Sequence, residues 1–351
     1  MPHVAIIGAG PTGLTAALEL KRLGVDVSIF EKRPGPSKLS RAVGLQAHSL
    51  EIFKPSGVAD SILAEAISFK GLIFHDQARP LAKLPLNFDK GSQLWGLAQD
   101  RTESHIVAAL NALGVDVQYG ARFETLMQDA SSVVATVNGA HKRFDYLIGA
   151  DGVFSKVRQE IDMSFDGYEL DKQWSIADVR CDSWQNPQHF QAFLLEHGNV
   201  AVVVPLEAGR FRVISSTPDA LKALPVPMNV LEIIRSGTFN ISVRQVARYQ
   251  KGRVFLAGDA AHCHSPVGGR GMNLGIADAA DLAARIAAGE TEGYTATRHA
   301  EGAQVLALSE GGRRMIQSQA PLKRFAVKSA MRVLNHVPPL ARFAVRKFTN
   351  G

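Results

Sequence analysis

Six residues near the start, Gly8-Ala9-Gly10-Pro11-Thr12-Gly13, stand between a short apolar run, Val4-Ala5-Ile6-Ile7, and a stretch of good helix formers from Leu14 to Leu23. In that setting the spacing of the glycines has chemical meaning. Gly8 allows a tight turn, Gly10 lets a pyrophosphate approach the backbone, and Gly13 lets helix and strand pack closely, while the helix N-terminus turns its positive end toward the phosphates. Glu31 stands eighteen residues after Gly13, at the end of a second β-branched run from Val25 to Phe30. A carboxylate at that point accepts hydrogen bonds from a ribose diol and repels a 2′-phosphate. The pattern predicts FAD or NAD, rather than NADP, in this first site.

A second constellation lies far downstream. The apolar strand Arg253-Val254-Phe255-Leu256-Ala257 delivers Gly258-Asp259 at its end, which sets a carboxylate beside a closely approaching backbone and suits bonding to sugar or ribityl hydroxyls. Ser265-Pro266-Val267-Gly268-Gly269-Arg270-Gly271-Met272-Asn273 then runs as a glycine-rich loop into a long helix, from about Gly271 to Ala288. Amide groups and a helix dipole at such a place favour negative charge on a bound ring.

Other chemistries lack their parts. There is no Gly-x-Ser-x-Gly elbow, no phosphate-binding loop ending in Lys-Ser/Thr and no His-Glu-x-x-His helix. His262-Cys263-His264 invites a metal, yet no supporting cluster of ligands stands elsewhere, so no metal is expected. The two cysteines, Cys181 and Cys263, are too far apart in sequence to suggest a disulfide framework.

Elements of alternating type must position these motifs. Strand, helix and strand open the chain as a βαβ unit; a helix from Asp100 to Leu113, a strand from Val115 to Tyr119, alternating strands from Phe123 to Asn138 and the apolar run Tyr146-Leu147-Ile148 follow. Short β-rich runs bounded by Pro and Gly fill the region from about Lys172 to Ser216, as in a mainly antiparallel sheet. The expected fold class is α/β with an α+β second domain. The expected division is 1–73, 97–170 and 245–320 for a nucleotide-binding domain, 74–96 and 171–244 for a substrate-binding sheet domain, and 321–351 for a basic helical tail.

With 351 residues, 46% of them apolar and 21% charged, the chain has enough material for two globular domains, and no stretch of about twenty residues is free of charge. Met1 stands three residues before the first apolar run, which leaves no room for a leader, so a cytoplasmic protein is expected. The net charge of +6 is unevenly placed: from Gly311 onward there are nine Lys and Arg and no Asp or Glu, which leaves −3 for the rest. A mildly acidic body without interleaved cations and aromatics does not suggest a nucleic-acid groove. In the tail, Lys323, Arg324, Lys328 and Arg332 fall on one side of a helix and Phe325, Ala326, Val333 and Val337 on the other, before a break at Pro338-Pro339. The ordinary arrangement packs the apolar side on the body and leaves the cations solvated. The alternative is weak contact with a membrane surface or an acidic partner.

The fingerprint with Glu31, Ser40-Arg41-Ala42, Gln99 to Glu103, Asp145-Tyr146-Leu147-Ile148-Gly149-Ala150-Asp151-Gly152, and Gly258-Asp259 with its Pro-Gly loop together resemble the FAD-dependent aromatic-ring monooxygenases of the para-hydroxybenzoate and phenol hydroxylase type, the class A flavoprotein monooxygenases. The resemblance spans Pro2 to Asp60, Leu97 to Phe165 and Ile241 to Leu308. It implies a Rossmann-like FAD-binding domain with an inserted sheet domain, bound FAD, NADPH or NADH that docks transiently, and O2. The implied reaction is hydroxylation or epoxidation of an aromatic or polyketide-like small molecule through a flavin C4a-hydroperoxide.

Carried over by position, Gly8, Gly10, Pro11, Thr12, Gly13, Glu31 and Lys32 would form the adenosine and pyrophosphate site, with Arg41 close by. Gln99 would contact the flavin side, and Asp151 with Gly152 would serve FAD and the nicotinamide together, although Asp151 also reads as the cap of a helix starting near Phe154. Gly258 and Asp259 would bond the ribityl chain, and Pro266, Gly268, Gly271, Met272 and Asn273 would cup the isoalloxazine. No catalytic acid or base is identified. Where relatives often carry an arginine this chain has His48, its middle region is short, and it is expected to do without the extra C-terminal domain of some phenol hydroxylases. A reductase or dehydrogenase on the same fold, or a catalytically silent flavin-binding protein, remain the alternatives.

Overall fold

The computed structural model describes residues 1–37, 42–86, 88, 90–266 and 268–350, with the side chains of 90 and 347–350 left aside. Arg41 and Val267 therefore lie outside the described residues. The first sheet has six strands in the order Gln250–Lys251, Val254–Leu256, Tyr146–Gly149, His3–Ile7, Asp26–Glu31 and Val117–Tyr119. Its inner pairs are parallel, and only Gln250–Lys251 runs antiparallel to its neighbour. A parallel sheet is covered on both faces, so its strands read as unbroken apolar runs rather than as alternation. Val4, Ala5, Ile6, Leu147, Ile148, Val254, Phe255 and Leu256 are all fully buried.

The helix Pro11–Arg22 starts with proline in its first turn, where no amide hydrogen is needed, and ends before Gly24 at φ +82°. Its buried face, Leu14, Ala17, Leu18 and Leu20, packs between the sheet and the helix Gly271–Ala288. That second helix has the bounds expected from the sequence, and its alanine-rich stretch is the contact surface: Ala279, Leu282, Ala283 and Ile286 are buried.

The second large sheet has seven strands, in the order Val230–Phe239, Trp174–Cys181, Arg210–Ser215, Val200–Glu207, His189–Leu194, Gly71–Asp76 and Arg79–Pro85. All its pairs are antiparallel except His189–Leu194 with Gly71–Asp76. The hairpin Gly71–Pro85 belongs wholly to this sheet, whereas Leu94–Gly96 pairs with Gly44–Gln46 in a small sheet near the nucleotide-binding layer. One face buries Val179, Phe193, Val203, Phe211 and Val213 beneath Trp184 and Ala220.

The tail forms helices Pro321–His336 and Pro338–Asn350, broken at the proline pair. The first helix packs on the body, but not by the apolar side expected from the sequence. Two of the four cations face the body, Lys328 pairing with Asp76 at 2.7 Å and Arg324 donating to the Leu195 carbonyl at 3.0 Å, while Lys323 and Arg332 are exposed. Met331 and Leu334 pack beside them, and Leu322, Phe325 and Val333 are left outside. The carboxylate of Asp76 and the Leu195 carbonyl at the sheet edge supply what the cations need, which helical periodicity alone does not reveal.

Candidate functional site

Three motifs from distant parts of the chain meet at the first turn of the helix Pro11–Arg22. Gly8 sits at φ +106°, and a Cβ there would lie 2.4 Å from the Ala150 carbonyl oxygen and 3.0 Å from the Asp151 Cα. A Cβ on Gly13 would lie 2.0 Å from the Gly8 carbonyl oxygen. The Thr12 hydroxyl fills the space above two more glycines: it stands 2.4 Å from where a Gly258 Cβ would be and 2.2 Å from that of Gly275. Thr12 thus locks the fingerprint helix onto the Gly258-Asp259 turn and the helix behind it.

Gly10 is the exception. Among the described residues nothing lies within 4 Å of a Cβ built there and no side chain caps the helix, so its amide-bearing end faces an open cradle. Gly152, at φ +84°, is equally open. An uncapped helix end with an empty glycine beside it suits a pyrophosphate in shape and charge, so the residues present fit FAD.

Glu31 ends its strand buried beside this cradle. It accepts from the Ala9 amide at 2.9 Å, the Arg33 amide at 2.9 Å and the Arg33 guanidinium at 3.1 Å. Burial pushes the carboxyl up, but the Arg33 side chain and the two amides outweigh it and hold it below the usual range. The cation at this site is Arg33, which also donates to the Ala9 carbonyl, whereas the neighbouring Lys32 is exposed. Gln99 is the first residue of the helix Gln99–Ala112. Its side chain accepts from the Ala42 amide and donates to Glu103, tying the segment after Arg41 to this helix.

Two buried groups here have opposed effects on acid stability. Burial pushes the Glu103 carboxyl up to about 7, against the Gln99 hydrogen bond and the field of Arg33. Burial also takes the His264 imidazole down to about 4. Glu103 keeps its proton in the fold between pH ~4.5 and ~7 while the unfolded chain loses it, so this group lowers stability as pH rises. His264 stays neutral in the fold between pH ~6.5 and ~4 while the unfolded chain gains a proton, so this group lowers stability as pH falls. Each window is worth on the order of 3 kcal/mol at about 1.4 kcal/mol per unit. Glu103→Gln should therefore steepen the rise of stability with pH across the shared window, read by urea titration of the flavin-free protein. A profile parallel to the parent's would refute the raised carboxyl.

Asp151 spends its carboxylate on the short helix Lys156–Glu160: it accepts from the Ser155 hydroxyl at 2.5 Å and from the Lys156 and Val157 amides at 2.7 and 3.1 Å. Ser155 in turn accepts from the Arg158 amide. Asp151 therefore fixes the turn whose other member, Gly152, opens onto the cradle.

The Gly258-Asp259 turn is held from behind by a buried charge cluster that motif spacing does not reveal. Asp278, fully buried on the long helix, accepts from the Gly258 amide at 2.9 Å, from His262 Nε2 at 2.6 Å and from Arg298 Nε at 2.7 Å. Burial alone would raise the Asp278 carboxyl, but His262 and Arg298 outweigh it and leave it below the usual range. His262 is spent on this contact, and His264 Nδ1 bonds the Ser265 carbonyl. Asp259 itself stands exposed.

Asn273 works as a clamp. Its Oδ1 accepts from the Gln46 amide and the Ser49 hydroxyl, and its Nδ2 donates to the Gly44 and Gly269 carbonyls. Met272 is buried next to it, while Gly268, at φ +95°, and Pro266 shape the loop before Gly271. His48, one helix position before Ser49, is exposed.

The seven-stranded sheet reaches this region through Arg212. Fully buried, it makes a two-pronged pair with Asp178 on the adjacent strand at 2.6 and 2.7 Å and donates to the Ala42 carbonyl at 3.2 Å. On the same face, cross-strand register aligns Ile176, Ile214, Val202, Ala192 and Phe74 in an apolar row. All but Ile176 are half-buried. Among the described residues no group of His, Cys, Asp and Glu is arranged for a metal ion, and no helix is long and apolar enough to cross a membrane.

Comparison with known proteins agrees with this geometry. The sequence matches the FAD binding domain family over residues 1–225 and 217–308. It is 32% identical to the rifampicin monooxygenase of Streptomyces venezuelae over 99% of this chain and 78% of that protein. It is 28% identical to the 6-methylpretetramide 4-monooxygenase of Streptomyces rimosus over 100% of this chain and 68% of that one. In structure it superposes on the p-nitrophenol 4-monooxygenase of Pseudomonas putida with a TM-score of 0.89 over 99% of both chains at 23% identity, a likeness of fold. The chain therefore belongs to the FAD binding domain family and is an FAD-dependent monooxygenase of the para-hydroxybenzoate hydroxylase type.

Proposed function

We propose that this monooxygenase hydroxylates an electron-rich aromatic or polyketide-like small molecule, using O2 and either NADPH or NADH. The observation that carries the reading is the meeting of the open Gly10 cradle with the Gly258-Asp259 turn, beside a segment at Ala42 that Arg212 of the seven-stranded sheet reaches. FAD, when bound, supplies electron transfer from the nicotinamide and activation of O2.

The protein's residues bind, orient and exclude water. Gly8, Gly10, Pro11, Thr12 and Gly13 present the uncapped helix end to the pyrophosphate, with Glu31 and Arg33 toward the adenosine side. Gly152 leaves room on one flank, and Asp259 offers a carboxylate to the ribityl hydroxyls. The N-terminus of the helix Gly271–Ala288 gives positive potential where a reduced ring carries charge. Phe74, Ala192, Val202 and Ile214 form an apolar wall for the substrate, and Arg212, neutralised by Asp178, ties that wall to the segment at Ala42. Two relatives are named for acting on rifampicin and on 6-methylpretetramide, which supports a small-molecule substrate of this kind.

The test is steady-state NADPH and NADH oxidation by the purified flavoprotein with a panel of phenols, quinones and aromatic polyketides. At least one substrate should speed oxidation and yield a product heavier by one oxygen atom. Oxidation with no stimulation, and no product across the panel, would refute the substrate class. Asp259→Ala should lower FAD content on purification, and full FAD content in that variant would remove Asp259 from the site.

A further inference from the structure

The tail helices carry an apolar surface that the flavin site does not use. On Pro321–His336, positions 322, 325, 326 and 333 recur at spacings of three, four and seven and form one stripe. Leu322 is 84% and Phe325 68% exposed, values seldom kept by residues of that size without a partner, and Val333 lies beside them in the open. Lys323 and Arg332 flank the stripe on either side and are exposed. The next helix repeats the pattern with Leu340 and with Phe343, 69% exposed, beside Arg342, while Ala341 and Val345 face the body.

The helices are nonetheless firmly seated. Lys328–Asp76, Arg324 with the Leu195 carbonyl and the Lys83 amide bonded to Asn335 fix the inner side at 2.7, 3.0 and 2.9 Å. The stripe is thus presented outward by a rigid base and is not the by-product of a loose end.

We infer that this face docks on an anionic lipid surface, with the apolar stripe entering the headgroup boundary and the flanking cations meeting lipid phosphates. Charge decides among occupants. Arg313, Arg314 and Lys328 are paired with Glu310 and Asp76, but Lys323, Arg332 and Arg342 stand exposed around the stripe on helices that carry no carboxylate, so a second copy placed across a two-fold axis would set cation against cation. An anionic bilayer offers what the face lacks, and aromatic and leucine side chains beside Lys and Arg are the composition of helices that lie in such an interface.

The test is co-sedimentation of the FAD-loaded full chain with phosphatidylcholine vesicles, with and without phosphatidylglycerol. The expected result is binding only to the anionic vesicles, weakened by salt and at least tenfold weaker for Phe325→Glu/Phe343→Glu, a variant that keeps its FAD and its melting temperature. Because both side chains stand in solvent, the fold tolerates the change; Lys323→Glu/Arg332→Glu provides an independent second variant and should lose binding in the same way. No binding, equal binding to neutral vesicles, or unchanged binding by both variants would overturn the inference. So would a dimer in light scattering that Phe325→Glu/Phe343→Glu abolishes, since a second copy would then cover the stripe.

Discussion

Replacing Gly10 with valine should cost FAD affinity at least ~100-fold, about 2.7 kcal/mol, while leaving the flavin-free protein within about 1 kcal/mol of its parent stability. The reason lies in what surrounds that position. Gly10 has an ordinary φ of −85°, so a side chain brings no backbone strain, and nothing among the described residues lies within 4 Å of its Cβ. Since no described residue is in its way, a valine there meets what the cradle holds. Gly13→Val is the contrasting control: its Cβ would press the Gly8 carbonyl oxygen, so both fold and flavin should be lost. Flavin fluorescence titration of the reconstituted apoproteins, paired with urea unfolding, separates the two. Parent-like FAD affinity in Gly10→Val would show that the pyrophosphate does not pass this point.

The second large effect belongs to Asp278→Ala. Removing this carboxylate leaves the Gly258 amide and the His262 ring without their acceptor and leaves Arg298 with only the half-exposed Glu301 as partner. Breaking a buried pair from one side costs about 3–5 kcal/mol, which for a chain of this size lowers the melting temperature by roughly 5 °C. FAD retention should fall with it, because the Gly258-Asp259 turn loses its anchor. Adding Arg298→Met should recover part of the stability, since a cation that has lost its buried partner is removed. A melting temperature unchanged in Asp278→Ala, or a purely additive loss in the double variant, would contradict the role given to the cluster.

Much of this site is legible in the order of the amino acids alone. The Rossmann-like layer shows itself because parallel strands buried on both faces are continuous apolar runs, and because Gly8, Gly10 and Gly13 have spacing that means something only between a strand and a helix. The long helix from Gly271 to Ala288 is bounded by its glycine-rich entry and by Gly289 at φ +74°. The supporting residues are not legible, for a physical reason. Asp278 and Arg298 look like ordinary polar positions on two helices, and only tertiary packing brings them to one point, with the Gly258 amide between. Arg33 is hidden by proximity: Lys32 and Arg33 are adjacent cations in the bend after the strand that ends at Glu31, and the path of that bend decides which one turns back to it. Asp151 has two readings from sequence; the hydrogen bonds to Lys156 and Val157 assign its carboxylate to the helix cap. The long edge strand Val230–Phe239 carries almost no alternation, being open to solvent on much of both sides, so the period-two signal that finds half-buried strands is missing.

The tail illustrates the limit of periodicity in another way. Its two faces are readable from the spacing of Lys323, Arg324, Lys328 and Arg332 against Phe325, Ala326 and Val333. Which face meets the body is not, because that depends on Asp76 and the Leu195 carbonyl at the edge of a sheet formed from other parts of the chain.

The central claim, that flavin held in this cleft places one atom of O2 into a substrate, is tested most directly with isotopically labelled oxygen. The FAD-loaded protein, a nicotinamide and a turning-over substrate are incubated under 18O2, and the product is weighed by mass spectrometry. The expected result is one labelled oxygen per product, the other atom leaving as water, with labelling absent in Gly10→Val. A product that carries no label, or nicotinamide oxidation that ends entirely in hydrogen peroxide for every substrate, would contradict it.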